Sequence, residues 1–110
     1  MAALKLALSV ERLPFAAPFR IAGRVFEHQD AVVVTLEDGA HRGRGEACGV
    51  FYLEDGVPQI LAAIEAQRGA IERGIGRDAL QGLLPPGGAR NALDCALWEL
   101  DAQRAGKPVW

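Results

Sequence analysis

Cysteine and histidine are scarce in this chain, with two of each among 110 residues, and neither a basic run nor a long apolar stretch is present. Each shortage narrows the reading. Cys48 and Cys95 lie far apart, and neither has a second Cys or His at ligand spacing, which argues against a zinc cluster. No apolar run approaches the length that a helix needs to cross a bilayer. The formal net charge is −2 with both signs interspersed, so nothing suggests a nucleic-acid or anionic-membrane footprint. The first ten residues alternate like a strand and lack a basic head before an apolar core, so mature sequence is expected, not a signal peptide. Two cysteines without an export signal favour reduced thiols and a cytoplasmic location.

What is present is ordinary for one soluble globular domain: half the residues are hydrophobic and 24% are charged. Leu4, Leu6, Leu8 and Val10 share one face of a period-two pattern, which predicts a half-buried strand over 4–11. Pro14 and Pro18 bracket Phe15-Ala16-Ala17 and predict an extended or turning segment, because the residue before proline avoids helix. Val32, Val33 and Val34 mark a second strand from Asp30 to Glu37. Asp38-Gly39 supplies a two-residue turn, and a return strand follows from Ala40 to Ala47. Gly43, Gly45 and Gly49 in so short a span point to a bulge or to close backbone packing.

From Val57 the period changes. Pro58 suits a helix start behind Asp55 or Gly56. Ile60, Leu61, Ile64 and Ile71 lie near one stripe of a helix expected to end around Gly74. A short helix from an Asp78 cap to Leu84 is stopped by Pro85-Pro86-Gly87-Gly88. A last helix is predicted from about Ala89 to Ala105, with Gly106 as its stop. On that helix Ala89, Ala92, Leu93, Ala96, Leu97 and Leu100 cover nearly half the circumference. Cys95, Trp98 and Ala102 extend the apolar surface, and the sector of Arg90, Asp94, Asp101 and Arg104 is solvent-like. So broad an apolar surface expects two packing partners, of which a three-stranded sheet with two small helices offers one. The predicted architecture is α+β, a three-stranded antiparallel meander followed by a small helical bundle.

Chemistry is harder to place. Gly43-Arg44-Gly45-Glu46-Ala47-Cys48-Gly49 superficially matches a phosphate loop, but its third glycine falls one position late and no helix follows directly. His28 and His41 lack an orienting partner at recognisable spacing, so surface or hairpin roles are favoured. Cys95 reads as a small buried hydrophobe, nothing marks Cys48 as a nucleophile, and Glu46 reads as a structural hydrogen-bonding carboxylate. In Pro18-Phe19-Arg20-Ile21-Ala22-Gly23-Arg24-Val25-Phe26, arginines interleave with apolar groups on an apparent loop. Two readings stay open: a solvated loop with snorkelling arginines, or a lid that pairs guanidinium with an anionic substrate group.

The run from Leu84 through Pro85-Pro86-Gly87-Gly88-Ala89-Arg90-Asn91-Ala92-Leu93-Asp94-Cys95-Ala96-Leu97-Trp98-Glu99 to Leu100 bears on that choice. It is similar to the segment joining capping domain to barrel in the L-Ala-D/L-Glu (dipeptide) epimerases, in the mandelate racemase/muconate-lactonizing branch of the enolase superfamily. Pro18-Phe19, the Val-rich strand with its Asp-Gly turn, Gly43-Arg44-Gly45-Glu46 and a loop from Ala47 to Asp55 follow in the order that resemblance expects. It implies an N-terminal capping domain over residues 1–88, the first helix of an absent (β/α) barrel over 89–110, and a partner barrel of the same enzyme. It also implies an isomerase that removes and returns the α-proton of a small dipeptide. Two barrel lysines and a Mg²⁺ held by barrel carboxylates serve that chemistry. No catalytic or metal-binding residue is therefore assigned here, and this segment alone is expected to be inactive. The residues that the resemblance brings to the substrate are Phe19, Ile21 and Arg24 of one lid loop and Phe51 and Tyr52 of the other. Arg24 matches an arginine that in some members contacts the side-chain carboxylate of glutamate. The rival reading is a non-enzymatic module that uses the last helix to self-associate as a homo-oligomer or to bind another protein.

Overall fold

The computed structural model describes residues 3–110, and of Phe51 the backbone alone. Three antiparallel strands form one sheet in the order β1-β2-β3. They are β1 (Lys5–Ile21), β2 (Arg24–Glu37) and β3 (Arg42–Ala47), followed by a single 3₁₀ turn (Phe51–Leu53). Four helices follow among the described residues: α1 (Val57–Ala66), α2 (Arg68–Glu72), α3 (Arg77–Leu83) and α4 (Gly88–Ala105). The α+β meander and helical bundle expected from the pattern are present.

The core lies between one sheet face and the helices. Leu6, Val32, Val34 and Leu36 meet Ile60 and Ile64 of α1, Ile71, Leu80, and the stripe Ala92, Leu93, Ala96, Leu97 and Leu100 of α4. The glycines of β3 explain how α4 comes so near. A Cβ on Gly43 would collide with the Ala96 carbonyl, and one on Gly45 with the Ala92 carbonyl. The helix backbone therefore rests directly on the strand, a packing that only glycine allows.

Helix side chains engage one position on each sheet edge, where they take up backbone groups that another strand could otherwise pair with. At β1, Glu72 accepts the Leu6 N–H at 3.0 Å, and Arg68 donates to the Leu6 carbonyl at 2.7 Å. At β3, the Glu99 carboxylate accepts the Arg44 N–H.

Several boundaries differ from those expected. The two first strands run on past Val10 as a long two-stranded ribbon, so the segment expected to be a loop is a β-hairpin turning at Ala22-Gly23. Pro14 and Pro18 flank a shift in register between Pro14 and Phe19, and the ribbon absorbs the extra residues there as a bulge. At the next turn Asp38 N–H donates to the His41 carbonyl at 3.1 Å, placing Gly39-Ala40 at the tip one residue later than predicted. The Asp38 carboxylate holds that turn by accepting the Ala40 and His41 N–H groups. The helix expected to reach Gly74 breaks at Gln67, where φ is −109° and ψ is 9°. The break lets Ile71 enter the core while Arg68 and Glu72 reach the β1 edge. No helix breaker occupies Ala66-Gln67-Arg68, so tertiary contact overrides local preference. The short third helix is capped by Gly76, with Asp78 in its first turn. The polar sector of α4 is half-buried rather than solvent-like: Arg104 pairs with Asp38 at 2.8 Å and Arg77 with Asp101 at 3.0 Å.

Candidate functional site

Register decides what the ribbon presents. Directly paired residues share a face, and Phe19 pairs with Phe26, Ile21 with Arg24 and Arg20 with Val25. Phe19, Ile21, Phe26 and Arg24 therefore stand on one face, and Arg20 stands on the other. The hairpin that sets this arrangement has positive φ at both central residues, 48° at Ala22 and 78° at Gly23, the backbone twist that suits a two-residue hairpin. Phe15 folds out of the bulge and meets Phe19 edge to face, with ring centroids 6.4 Å apart.

Opposite this face lies the segment after β3. Val50 and Asp55 form an isolated antiparallel bridge around the 3₁₀ turn. Tyr52 projects from that turn and is 74% exposed. Ribbon and turn together enclose a cleft of about 390 Å³. Phe15, Phe19, Ile21 and Phe26 line one side, and Cys48, Val50 and Tyr52 line the other. Of the five residues expected to meet substrate, Phe19, Ile21 and Tyr52 come together here. Arg24 shares their ribbon face but does not line the cleft. The side chain of Phe51 lies outside the described residues.

His28 lines the same cleft. Its Nε2 is 3.8 Å from Asp30, which also pairs with Arg12 at 3.0 Å. The Arg12 guanidinium holds the Asp30 carboxyl below its ordinary range. Burial, and secondarily the charge of Glu46, push the Cys48 thiol above its usual value. Both effects disfavour the thiolate form that a nucleophilic cysteine needs. His41 sits at the turn between β2 and β3, with Nδ1 3.8 Å from Asp38. Cys95 is exposed on α4, not buried as expected. Glu46 lines a separate cleft beside Trp98, whereas Glu99, Glu72 and Asp55 accept backbone N–H groups from distant segments. Their partners lie 33 to 66 positions away, beyond the reach of local pattern.

Among the described residues, no group of three His, Cys, Asp or Glu side chains could hold a metal ion. No helix among them is long and apolar enough to cross a membrane.

Residues 4–110 match the family model described as mandelate racemase/muconate lactonizing enzyme, N-terminal domain. The chain is 39% identical over 94 residues to the L-Ala-D/L-Glu epimerase of Escherichia coli strain K12, covering 86% of this chain and 29% of that protein. It also resembles the solved structure of an enolase family member from Agrobacterium tumefaciens with homology to dipeptide epimerases, which holds sodium and L-Ala-L-Glu. The TM-score is 0.91 and the identity 36%, over 96% of this chain and 32% of that one. A dipeptide epimerase from Methylococcus capsulatus, complexed with Mg and the dipeptide L-Arg-D-Lys, gives a TM-score of 0.83 and 28% identity, over 99% of this chain and 34% of that one. The chain thus spans about a third of the length of the relatives it matches.

Proposed function

Because the chain belongs to the mandelate racemase/muconate lactonizing enzyme N-terminal domain family, we propose that it is the substrate-capping and specificity domain of a dipeptide epimerase. One observation carries this reading. Two segments far apart in sequence, the ribbon tip and the Tyr52 turn, converge on a single aromatic-lined cleft. A surface of that kind suits closing over a bound dipeptide, excluding water and reading its side chain. Phe19, Ile21 and Tyr52 would supply apolar contact, and Phe51 belongs to the same turn. Arg24, on the cleft face at the ribbon tip, would meet a side-chain carboxylate.

The division that accompanies this reading places residues 1–88 in the cap and 89–110 at the start of a barrel. Proton removal and return would fall to groups beyond this chain, and the segment alone would be inactive. The Mg²⁺ of the resembled enzymes fits no set of side chains among the described residues.

Arg24→Ala, made in a two-domain enzyme that contains this chain, tests the reading. Loss of one charged hydrogen bond should raise KM for L-Ala-L-Glu about tenfold to a hundredfold. KM for L-Ala-L-Leu should change by no more than about threefold, since a neutral side chain forfeits no such bond. Equal effects on both dipeptides would sink the specificity role.

A further inference from the structure

Asp55 faces two ways at the base of the Tyr52 turn. Its backbone closes the turn: Val50 N–H donates to the Asp55 carbonyl at 3.0 Å, and Asp55 N–H returns to Val50 at 3.3 Å. Its side chain points elsewhere. Oδ2 accepts the N–H of Gly88 at 2.8 Å, and Gly88 is the first residue of α4. The capping position of that helix is Gly87, which has no side chain to offer. A carboxylate 33 positions away in sequence supplies the acceptor instead, where free N–H groups and the helix dipole favour negative charge.

Glycines make room for this arrangement on both sides. A Cβ on Gly88 would stand 3.2 Å from Asp55 Oδ2 and 2.5 Å from Ile60 Cδ1. Gly49, at φ +80°, would drive a Cβ into the Asp55 carbonyl. Glu54 completes the tight path at φ 54°. At the outer part of the turn, Tyr52 and Leu53 are 74% and 66% exposed, and Leu53 N–H donates to the Val50 carbonyl at 3.1 Å.

We propose that Asp55 is a positioning residue whose carboxylate ties the Tyr52 turn to the N-terminus of α4. The place of Tyr52 beside the cleft is then coupled to the helix at the cap–barrel junction as well as to the sheet from which the turn emerges. The value of that placement to a substrate rests on the capping role proposed above.

Tyr52 is the single tyrosine of the chain, so 3-fluorotyrosine labels this turn alone. In the unmodified chain its ¹⁹F resonance should be one line displaced from the denatured position, and the Gly88 amide should be protected from exchange. Asp55→Ala should move the line toward the denatured position. It should also speed exchange at Val50, Asp55 and Gly88 about tenfold or more, as expected for loss of a charged hydrogen bond, without changing exchange at Val34. Asp55→Asn keeps an acceptor oxygen and should restore most of both signals. An unchanged line and unchanged exchange in Asp55→Ala would overturn the assignment. An unprotected Gly88 amide in the unmodified chain would do the same, even if the alanine variant failed to fold. No substrate enters the measurement, so failure of the capping role would leave its result untouched.

Discussion

At the scale of single residues, Asp38 shows how much one carboxylate organises. It accepts two turn N–H groups with one oxygen and the Arg104 guanidinium with the other. The turn between β2 and β3 is thereby fastened to the last turn of α4. Arg104 first, then the His41 and Ala40 amides, hold the Asp38 carboxyl far below the usual carboxylate range. A depressed folded-state pKa gives stability that is fully present above the unfolded value, near 3.9 for an aspartate. That stability is lost as pH falls from there through the folded value. The urea midpoint of the unmodified chain should therefore exceed that of Asp38→Asn by a constant margin above about pH 5. The margin should shrink steadily below about pH 4. Taking the difference between the two proteins cancels the other carboxylates, including Glu65, whose pKa Arg68 lowers in the same direction. A margin that is flat down to pH 2 would mean that the pairing contributes nothing to folding.

At the scale of elements, the ribbon and the sheet are one pair of strands in two environments. From Lys5 to Val10, β1 lies beside strand residues that also pair with β3, and Leu6 and Val34 are buried. From Ala31 toward the hairpin, β2 pairs with no third strand among the described residues, and Leu13, Phe19, Ile21 and Val25 are 42–55% exposed. A two-stranded ribbon is marginal without packing on one face. Amides of Phe19, Ile21 and Val25 should thus exchange by local opening, at least a hundredfold faster than those of Val32 and Val34, on the scale that separates fraying segments from core strands. Uniform protection along β2 would show the ribbon to be as stable as the sheet. This contrast also explains what the sequence made legible. Strict alternation at Leu4, Leu6 and Leu8 and the Val run record burial, so the three-stranded part could be read, as could the close packing at Gly43 and Gly45. The ribbon tip is exposed, carries no such alternation, and contains two prolines, so it resembled a loop. Only the register separates Arg24 from Arg20, and register is a long-range property. Asp55 was invisible for the same reason, because its partner lies beyond a whole helical segment.

At the scale of the whole molecule, α4 determines what remains to be covered. Its stripe from Ala89 to Leu100, expected to outstrip what this domain could bury, is buried within the chain. The uncovered part is the flank, where Cys95 and Trp98 are exposed. Trp98 is 44% accessible, with the Arg77 guanidinium 3.6 Å from its ring centre. Between this flank and β3 runs a cleft of about 730 Å³, bordered by Val33, Arg44, Glu46 and Trp98. A half-exposed tryptophan beside a cleft is the kind of group that anchors an interface. Under the capping role its partner is the barrel, and under the rival reading it is a second copy or another protein. The two diverge in solution. With Trp110→Phe removing the other indole, the capping role expects a monomer on sedimentation, with Trp98 open to acrylamide. Adding the part of the Escherichia coli relative that this chain does not match should then form a one-to-one complex that shields it. Trp98→Asp should abolish that complex, because burying an unpaired carboxylate costs several kcal/mol, while leaving the chain folded. A discrete oligomer of the chain alone, with Trp98 already shielded, would favour self-association and remove the reason to seek a barrel on this face.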